Sequence, residues 1–205
     1  MRLFQKSVLA AALVAASFAA QAESSFQTGN GALTATARVD FQITIPKILY
    51  LRVGQGTAFA SNPAINLIDF NVPAANVGNG TAVAATAGSG DLGNGAVTAQ
   101  VIGNNGAITL TSQTAGALGN GAGDSISYAA INTAATALTS ATVLAPPALA
   151  DGSTTSVTLT PASGKVINRD ARWTYTYANT ALAAPGTYGG VNTNNGRVTY
   201  TATMP

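Results

Sequence analysis

From Leu33 to Ile45 the sequence alternates between apolar and polar side chains at every step. Apolar residues fill the odd positions: Leu33, Ala35, Ala37, Val39, Phe41, Ile43 and Ile45. Because successive side chains of a β-strand point to opposite faces, this period of two predicts a strand with one buried and one wet face. At roughly 3.3 Å per residue the strand would reach about 45 Å, far more than the usual five or six residues.

The rest of the chain carries turn signals between short apolar stretches, and no stretch has the periodicity of a helix. Gly-Asn-Gly recurs four times, at 29–31, 78–80, 93–95 and 119–121. Residues 96–102 and 107–114 flank Gly103-Asn104-Asn105-Gly106, a pattern that predicts a β-hairpin. Further strands are predicted over six stretches: 48–53, 65–72, 125–131, 156–160, 173–178 and 197–204. The sequence therefore predicts an all-β protein, an antiparallel β-sandwich of immunoglobulin-like or pilin-like form over residues 23–205.

The predicted core draws on both ends of the chain. Its members are large apolar residues of the predicted strands: Phe41, Ile43, Ile45, Leu49, Trp173, Tyr175, Val198 and Tyr200. Trp173, Tyr175 and Tyr177 alternate along one strand face. Such a row is most simply part of a core or of a cross-strand aromatic cluster, and the alternative is an exposed platform on which sugar rings would stack.

Residues 1–22 have the features of a cleaved signal peptide. Arg2 and Lys6 form a basic start, the apolar run that follows to Ala20 is interrupted only by Ser17, and Ala20-Gln21-Ala22 fits a small-x-small cleavage site. The run of about 14 residues is shorter than the roughly 20 that span a bilayer. We expect cleavage after Ala22 and an exported mature chain without an integral membrane span. Its expected location is the periplasm, the cell surface or the extracellular medium.

The residue inventory removes the common catalytic and metal sites. The chain has no cysteine and no histidine, which excludes thiolate nucleophiles, imidazole bases, disulfides and the usual zinc ligands. Its acids are scattered singly. Asp91 with Asn94 would supply only part of a calcium loop, and a polar turn is the simpler interpretation. We predict that the protein is not an enzyme and holds neither a cofactor nor a metal.

Charge gives no sign of a nucleic-acid partner. Charged residues make up 8% of the chain, and Arg2 and Lys6 account for the excess of nine basic over seven acidic side chains. The mature chain is therefore neutral overall. It lacks the basic surface that attracts nucleic acids or anionic lipids.

The end of the chain resembles the closing strand of secreted β-sandwich subunits. Pro185-Gly186-Thr187-Tyr188 and Val198-Thr199-Tyr200-Thr201 are similar to the endings of chaperone–usher pilins, spore-coat-U-type proteins and WxL-type surface domains. The resemblance implies that the final strand completes the sandwich and, for pilins, that an N-terminal strand fills a groove on the next subunit. The chain departs from these families in lacking a disulfide, in its penultimate Met204 and in Tyr200-Thr201-Ala202, where a Trp-x-Leu motif would stand.

Three features together predict a structural subunit of a fimbria-like surface or extracellular assembly. They are the export signal, the lack of the usual catalytic residues and the overlong first strand. Such a subunit would associate by β-strand addition. The predicted partner-binding residues are Leu33, Ala35, Ala37 and Val39, in an N-terminal strand (23–45) that either is donated to a neighbour or folds back as an ordinary first strand. Expected partners are copies of the chain or related surface subunits and, by the resemblance, a periplasmic chaperone.

Two other functions stay open on the sequence. One is a surface adhesin or carbohydrate-binding module that would expose the face of Trp173, Tyr175 and Tyr177. The other is an outer-membrane β-barrel, which the low aromatic content, 6% of the chain, disfavours because barrel strands carry aromatic girdles.

Overall fold

The structure of the protein is a computed structural model that describes residues 23–205, so the predicted signal peptide lies outside the described residues. The chain divides after Pro46 into two units. Residues 23–46, the described part of the first unit, contain no strand or helix, and we call them the N-terminal segment. The second unit, Lys47–Pro205, contains the ten described strands and two short 3₁₀ helices, Ala74–Asn76 and Tyr128–Ala130.

The strands of the second unit form antiparallel sheets. In chain order they are β1 (Leu49–Val53), β2 (Val83–Ala84), β3 (Ala96–Gly103), β4 (Ile108–Thr114), β5 (Leu118–Gly119), β6 (Ser125–Ile126), β7 (Ile131–Thr136), β8 (Thr154–Leu159), β9 (Ile167–Tyr177) and β10 (Val198–Thr203). In the five-stranded sheet β1 pairs with β3, β3 with β9, and both β2 and β7 with β9. The three-stranded sheet has the order β10-β4-β8, and β5 and β6 form a short ribbon. The all-β prediction is confirmed, and the arrangement is consistent with a β-sandwich.

The stretches on either side of Gly103-Asn104-Asn105-Gly106 form strands, as predicted, but they do not pair with each other. β3 lies in the five-stranded sheet between β1 and β9, whereas β4 lies in the three-stranded sheet between β10 and β8. The predicted hairpin is therefore wrong, since this turn carries the chain from one sheet to the other. Both strands alternate buried residues with more exposed ones, and each places its buried face in the core.

Most of the other predicted strands are present. β1, β8, β9 and β10 correspond to predicted stretches, although β9 begins six residues earlier than expected. The strand predicted over 65–72 is wrong, because this stretch bonds irregularly to a loop: the Asp69 and Leu67 carbonyls accept from the Thr86 and Gly90 amides at 2.8 and 3.3 Å. The strand predicted over 125–131 is interrupted by the 3₁₀ turn Tyr128–Ala130.

The long strand predicted over residues 33–45 is also wrong for this structure. The whole stretch lies in the N-terminal segment, where no β-ladder is formed. A strand is defined by the hydrogen bonds that it exchanges with a neighbour, and alternation of side chains alone supplies no neighbour.

One cluster of buried side chains takes members from both larger sheets. These members are Val97, Ala99, Val101, Ile108, Leu110, Leu144, Leu159, Ile167, Ala171, Trp173 and Tyr175. The predicted core is confirmed for Trp173 and Tyr175, and half-buried Tyr200 packs against the cluster with its ring centroid 5.3 Å from that of Trp173. Val198, at the start of β10, is half-buried, as a residue near the core should be.

Four predicted core residues lie largely outside this cluster, and for them the prediction is wrong. Phe41, Ile43 and Ile45 are 90%, 85% and 75% exposed, and Leu49 is 42% exposed. The first three belong to the N-terminal segment, and Leu49 begins the edge strand β1. Alternation identifies the apolar face of a strand but not the surface that covers it.

Candidate functional site: the N-terminal segment and the sheet edges

The N-terminal segment leaves large apolar side chains uncovered at alternate positions. Every residue of the segment is exposed, including Phe26, Phe41, Ile43 and Ile45. Soluble proteins rarely expose apolar groups this closely spaced, and where they do the surface commonly marks an interaction site.

The predicted partner-binding residues belong to this exposed row. Leu33, Ala35, Ala37 and Val39 are all exposed. The structure adds the larger side chains Phe41, Ile43 and Ile45 to the same row. These three residues also follow the period of two. Their large side chains suit a core equally well, and for that reason they were predicted to lie in the core.

The first half of the segment is tied back on itself by an ion pair. The Arg38 guanidinium donates through Nε and Nη2 to the two Glu23 carboxylate oxygens, at 2.7 and 2.8 Å. The hydrogen bonds to Arg38 hold the pKa of Glu23 below its usual range, and those to Glu23 raise the pKa of Arg38. The chain bends at residues 29–31, midway between the two partners. Glu23 and Arg38 apart, residues 23–45 make no hydrogen bond or ion pair with any described residue.

One side of the second unit is closed by its own chain. We call residues 144–150 the closing segment. Its Leu144 carbonyl accepts from Trp173 Nε1 at 2.6 Å, and its Ala148 carbonyl accepts from Ser112 Oγ at 2.8 Å and from Thr155 Oγ1. Leu144 and Pro147 are fully buried. The closing segment thus bonds to β9 of one sheet and to β4 and β8 of the other, with side chains satisfying its carbonyls.

On the other side, β1 and β10 are edge strands that pair with one neighbour each. The two strands approach each other at Gly103. A Cβ there would lie 3.5 Å from Cδ1 of Leu49 in β1 and 2.9 Å from Sδ of Met204, the residue that follows β10. This end is fastened, because Lys47 Nζ and Asn105 Nδ2 both donate to the Pro205 oxygen, the latter at 2.7 Å. In residues 23–205 no strand pairs with the outer edge of β1 or of β10. Every second residue of such an edge points its amide and carbonyl outward, where another strand can bond to them.

The aromatic row of β9 lies in the core. Trp173 is fully buried, and Tyr175 and Tyr177 are buried as well. The Tyr175 and Tyr200 hydroxyls lie 3.0 Å apart, and burial raises the pKa of both phenols. These rings match the core interpretation of the row and present no open face on which a sugar would stack.

The calcium-loop candidate is occupied by protein groups. The Asp91 carboxylate accepts from the Thr98 amide at 2.8 Å and pairs with Arg52 Nη2 at 3.2 Å. Residues 23–205 contain no group of three or more acidic side chains that could together hold a metal ion. None of the helices in residues 23–205 has the length and apolar character to cross a membrane.

Asp170 of β9 anchors the loop that leads into the closing segment. Its buried carboxylate accepts from the Thr139 and Ser140 amides, each at 2.9 Å, and from the Thr139 hydroxyl. Burial of the carboxyl acts to raise its pKa, but these hydrogen bonds outweigh burial and hold the pKa of Asp170 well below its usual range. The carboxylate therefore holds the loop more strongly when it is ionised than when it is protonated.

Replacing Asp170 by asparagine should lower the free energy of unfolding by about 1–3 kcal/mol near neutral pH, since charge-assisted bonds to two amides are lost. Because the pKa of Asp170 is lowered in the native state, the stability difference between the unsubstituted protein and Asp170→Asn is complete at pH values well above the pKa of about 3.9 that an aspartate has in the unfolded chain. It should vanish as the pH falls through the lowered native pKa. Urea titrations at several pH values measure this, with Asp40→Asn in the exposed N-terminal segment as control. A difference that stays constant through the acid range would contradict the assignment.

Comparison of the chain with protein-family models, with curated proteins and with solved structures found no match.

Proposed function

We propose that the protein is an exported, non-enzymatic structural subunit whose copies associate by β-strand addition into a fimbria-like filament. In this proposal the two larger sheets form a pilin-like or immunoglobulin-like β-sandwich. The observation that carries it is the N-terminal segment, whose strand-like alternation of apolar and polar residues forms no ladder within residues 23–205.

The donor strand of this proposal is residues 39–45. Their backbone groups are unbonded in the described structure, so they are available to a partner's sheet. In strand addition main-chain hydrogen bonds provide affinity, and alternate side chains fix the register. Val39, Phe41, Ile43 and Ile45 supply those side chains, and burial of each would contribute roughly 1.5–3 kcal/mol. Pro46, which has no N–H, ends the donor strand.

The acceptor of this proposal is the side of a second copy where β1 and β10 lie. Of the two sides, the one bordered by β8 is already closed by residues 144–150. β10 has six residues, a length comparable to that of the donor, and its alternate residues Val198, Tyr200 and Ala202 are only half-buried. A donor laid along β10 would bond to its outer edge and place apolar side chains against these residues.

The location and partners follow from this assembly. Donor and acceptor are different surfaces, so the contact is heterologous and continues from copy to copy as a filament. We place the filament at the cell surface or outside the cell. Before assembly the same edge and the same donor would both need cover, a role that suits a periplasmic chaperone or a related surface subunit.

The test compares the mature chain (23–205) with a truncated chain (47–205) that begins at the boundary between the two units. Size-exclusion chromatography with light scattering should find concentration-dependent oligomers for the mature chain and monomers for the truncated one. A synthetic peptide of residues 32–46 should bind the truncated chain. The same peptide with aspartate at positions 41 and 43 is the matched control and should not bind.

Two measurements distinguish a donated segment from a segment that the fold of the second unit requires. Circular dichroism of the truncated chain must retain the β spectrum, which shows that the N-terminal segment is not part of the core. A mature chain that remains monomeric at high concentration, or a truncated chain that still forms the same oligomers, would refute strand donation.

A further inference from the structure

We propose that Asn30 is a site of spontaneous deamidation that the fold itself selects from six Asn-Gly pairs. The pairs begin at Asn30, Asn79, Asn94, Asn105, Asn120 and Asn195. All six share the local sequence that reacts most readily, because glycine places no side chain in the path of the attacking nitrogen. Any difference in their rates must therefore come mainly from the structure around them. This inference does not depend on the proposed function.

The reaction needs two free groups and one molecule of water. The backbone nitrogen of the glycine attacks Cγ of the asparagine side chain, the new N–C bond closes a five-membered succinimide, and the amide nitrogen leaves as ammonia. Water then opens the ring at either carbonyl and yields aspartate or isoaspartate. A hydrogen bond that holds the glycine N–H, or bonds that fix the side-chain amide, keep the two atoms from meeting until the site opens locally.

Four of the pairs hold the glycine nitrogen in a backbone hydrogen bond. The acceptors are the Asn179 carbonyl for Gly80 (2.9 Å), the Ser89 carbonyl for Gly95 (2.9 Å), the Lys165 carbonyl for Gly106 (2.9 Å) and the Thr193 carbonyl for Gly196 (2.7 Å). In three of these four the side-chain amide also donates, from Asn79 to Asn76 Oδ1, from Asn105 to the Pro205 oxygen and from Asn195 to the Ala117 carbonyl.

The fifth pair is held by its asparagine side chain. Asn120 Oδ1 accepts from the amides of Ala122 and Asp124, at 2.8 and 3.1 Å, and Nδ2 donates to the Asp124 carboxylate at 2.9 Å. These three bonds fix the side-chain amide, so its Cγ is not free to swing toward the Gly121 nitrogen.

Asn30 differs from all five. Among the described residues neither Asn30 nor Gly31 makes a hydrogen bond, and both are exposed at the bend of the N-terminal segment. A Cβ at Gly31 would meet no atom within 4 Å, so no described residue packs against Gly31. The attacking nitrogen and Cγ can approach each other here without prior opening.

The product would change the segment in a defined way. Either outcome adds one negative charge, and the isoaspartyl form also inserts an extra carbon into the main chain. That carbon would lie three residues before Leu33, in the bend at 29–31 and outside the alternating row. Deamidation would thus alter the N-terminal segment and leave the sheets untouched.

The test incubates the mature chain (23–205) at mildly alkaline pH, then maps peptides by mass spectrometry with isoaspartyl methyltransferase labelling. The tryptic peptide that ends at Arg38 contains Asn30 as its one asparagine, and a second protease separates the other pairs. In the native protein Asn30 should react about tenfold faster, or more, than each of the other five. In concentrated urea the deamidation rates of all six pairs should become similar. The N30Q variant should show no isoaspartyl signal in the tryptic peptide that ends at Arg38.

Two results would overturn the proposal. One is a native rate at another Asn-Gly pair that equals the rate at Asn30. The other is an Asn30 rate that still exceeds the other five in urea, because selection would then come from sequence and not from the fold.

Discussion

Replacing Trp173 by alanine is expected to lower the free energy of unfolding by about 3–5 kcal/mol, a large part of the 5–15 kcal/mol typical of a domain. Trp173 is fully buried at the centre of the cluster shared by the two larger sheets, so truncation leaves a cavity there. It also removes the Nε1 donor from the Leu144 carbonyl and so loosens the closing segment. Urea denaturation followed by circular dichroism measures the loss, since the variant has no tryptophan to report by fluorescence.

Two control variants make the result interpretable. Trp173→Phe keeps most of the ring volume and loses the Nε1 bond, so it should lie between the native protein and the alanine variant. Phe59→Ala removes an aromatic ring that is 67% exposed and should change stability by less than about 0.5 kcal/mol. If Trp173→Ala lowers stability no more than Phe59→Ala does, Trp173 is not part of a core shared by the two larger sheets.

Introducing aspartate at both Phe41 and Ile43 is expected to abolish self-association while leaving the fold of the second unit unchanged. Both side chains are exposed in the free chain, so the charges cost little there. In the proposed filament the same positions face the apolar residues of a neighbour's β10, where an unpaired carboxylate is strongly unfavourable. Analytical ultracentrifugation measures association, and thermal unfolding measures the fold.

The matched control is aspartate at Gln42 and Thr44, which occupy the intervening positions of the same stretch. A donated strand points these side chains away from the acceptor, so association should persist. Equal loss with both pairs of substitutions would argue against a strand-like contact. If the variant with aspartate at Phe41 and Ile43 unfolds as a monomer, these two residues belong to the core after all.

The sequence predicts most of the longer strands of the second unit because alternation and turn chemistry are local properties. β9 and β10 are recognisable from Trp173, Tyr175, Val198 and Tyr200, whose spacing of two matches their burial or partial burial. What a local pattern lacks is the identity of the covering surface. Phe41 has the same alternation as Tyr175 yet lies in solvent, since among residues 23–205 nothing covers its face.

Connections between strands were harder to predict for a related reason. The Gly103–Gly106 turn has the composition of a hairpin, and nothing local distinguishes a hairpin from a step between sheets. The sequence also does not show which side of the second unit is closed, because the closing segment at 144–150 is not a strand. Its burial depends on distant donors such as Ser112 and Trp173.

The step between sheets at Gly103–Gly106 has a consequence for the speed and timing of folding. Because β4 does not pair with β3, it must wait for β8 and β10, and the β4–β10 ladder joins Thr109 to Thr203 across most of the second unit. Ladders between such distant residues close slowly, and folding dominated by them takes milliseconds to seconds. A chain that emerges N-terminus first cannot complete its three-stranded sheet until β10 has emerged. Throughout that interval one edge of β4 stays unpaired, so the folding chain is most prone to misassembly just before β10 pairs with it.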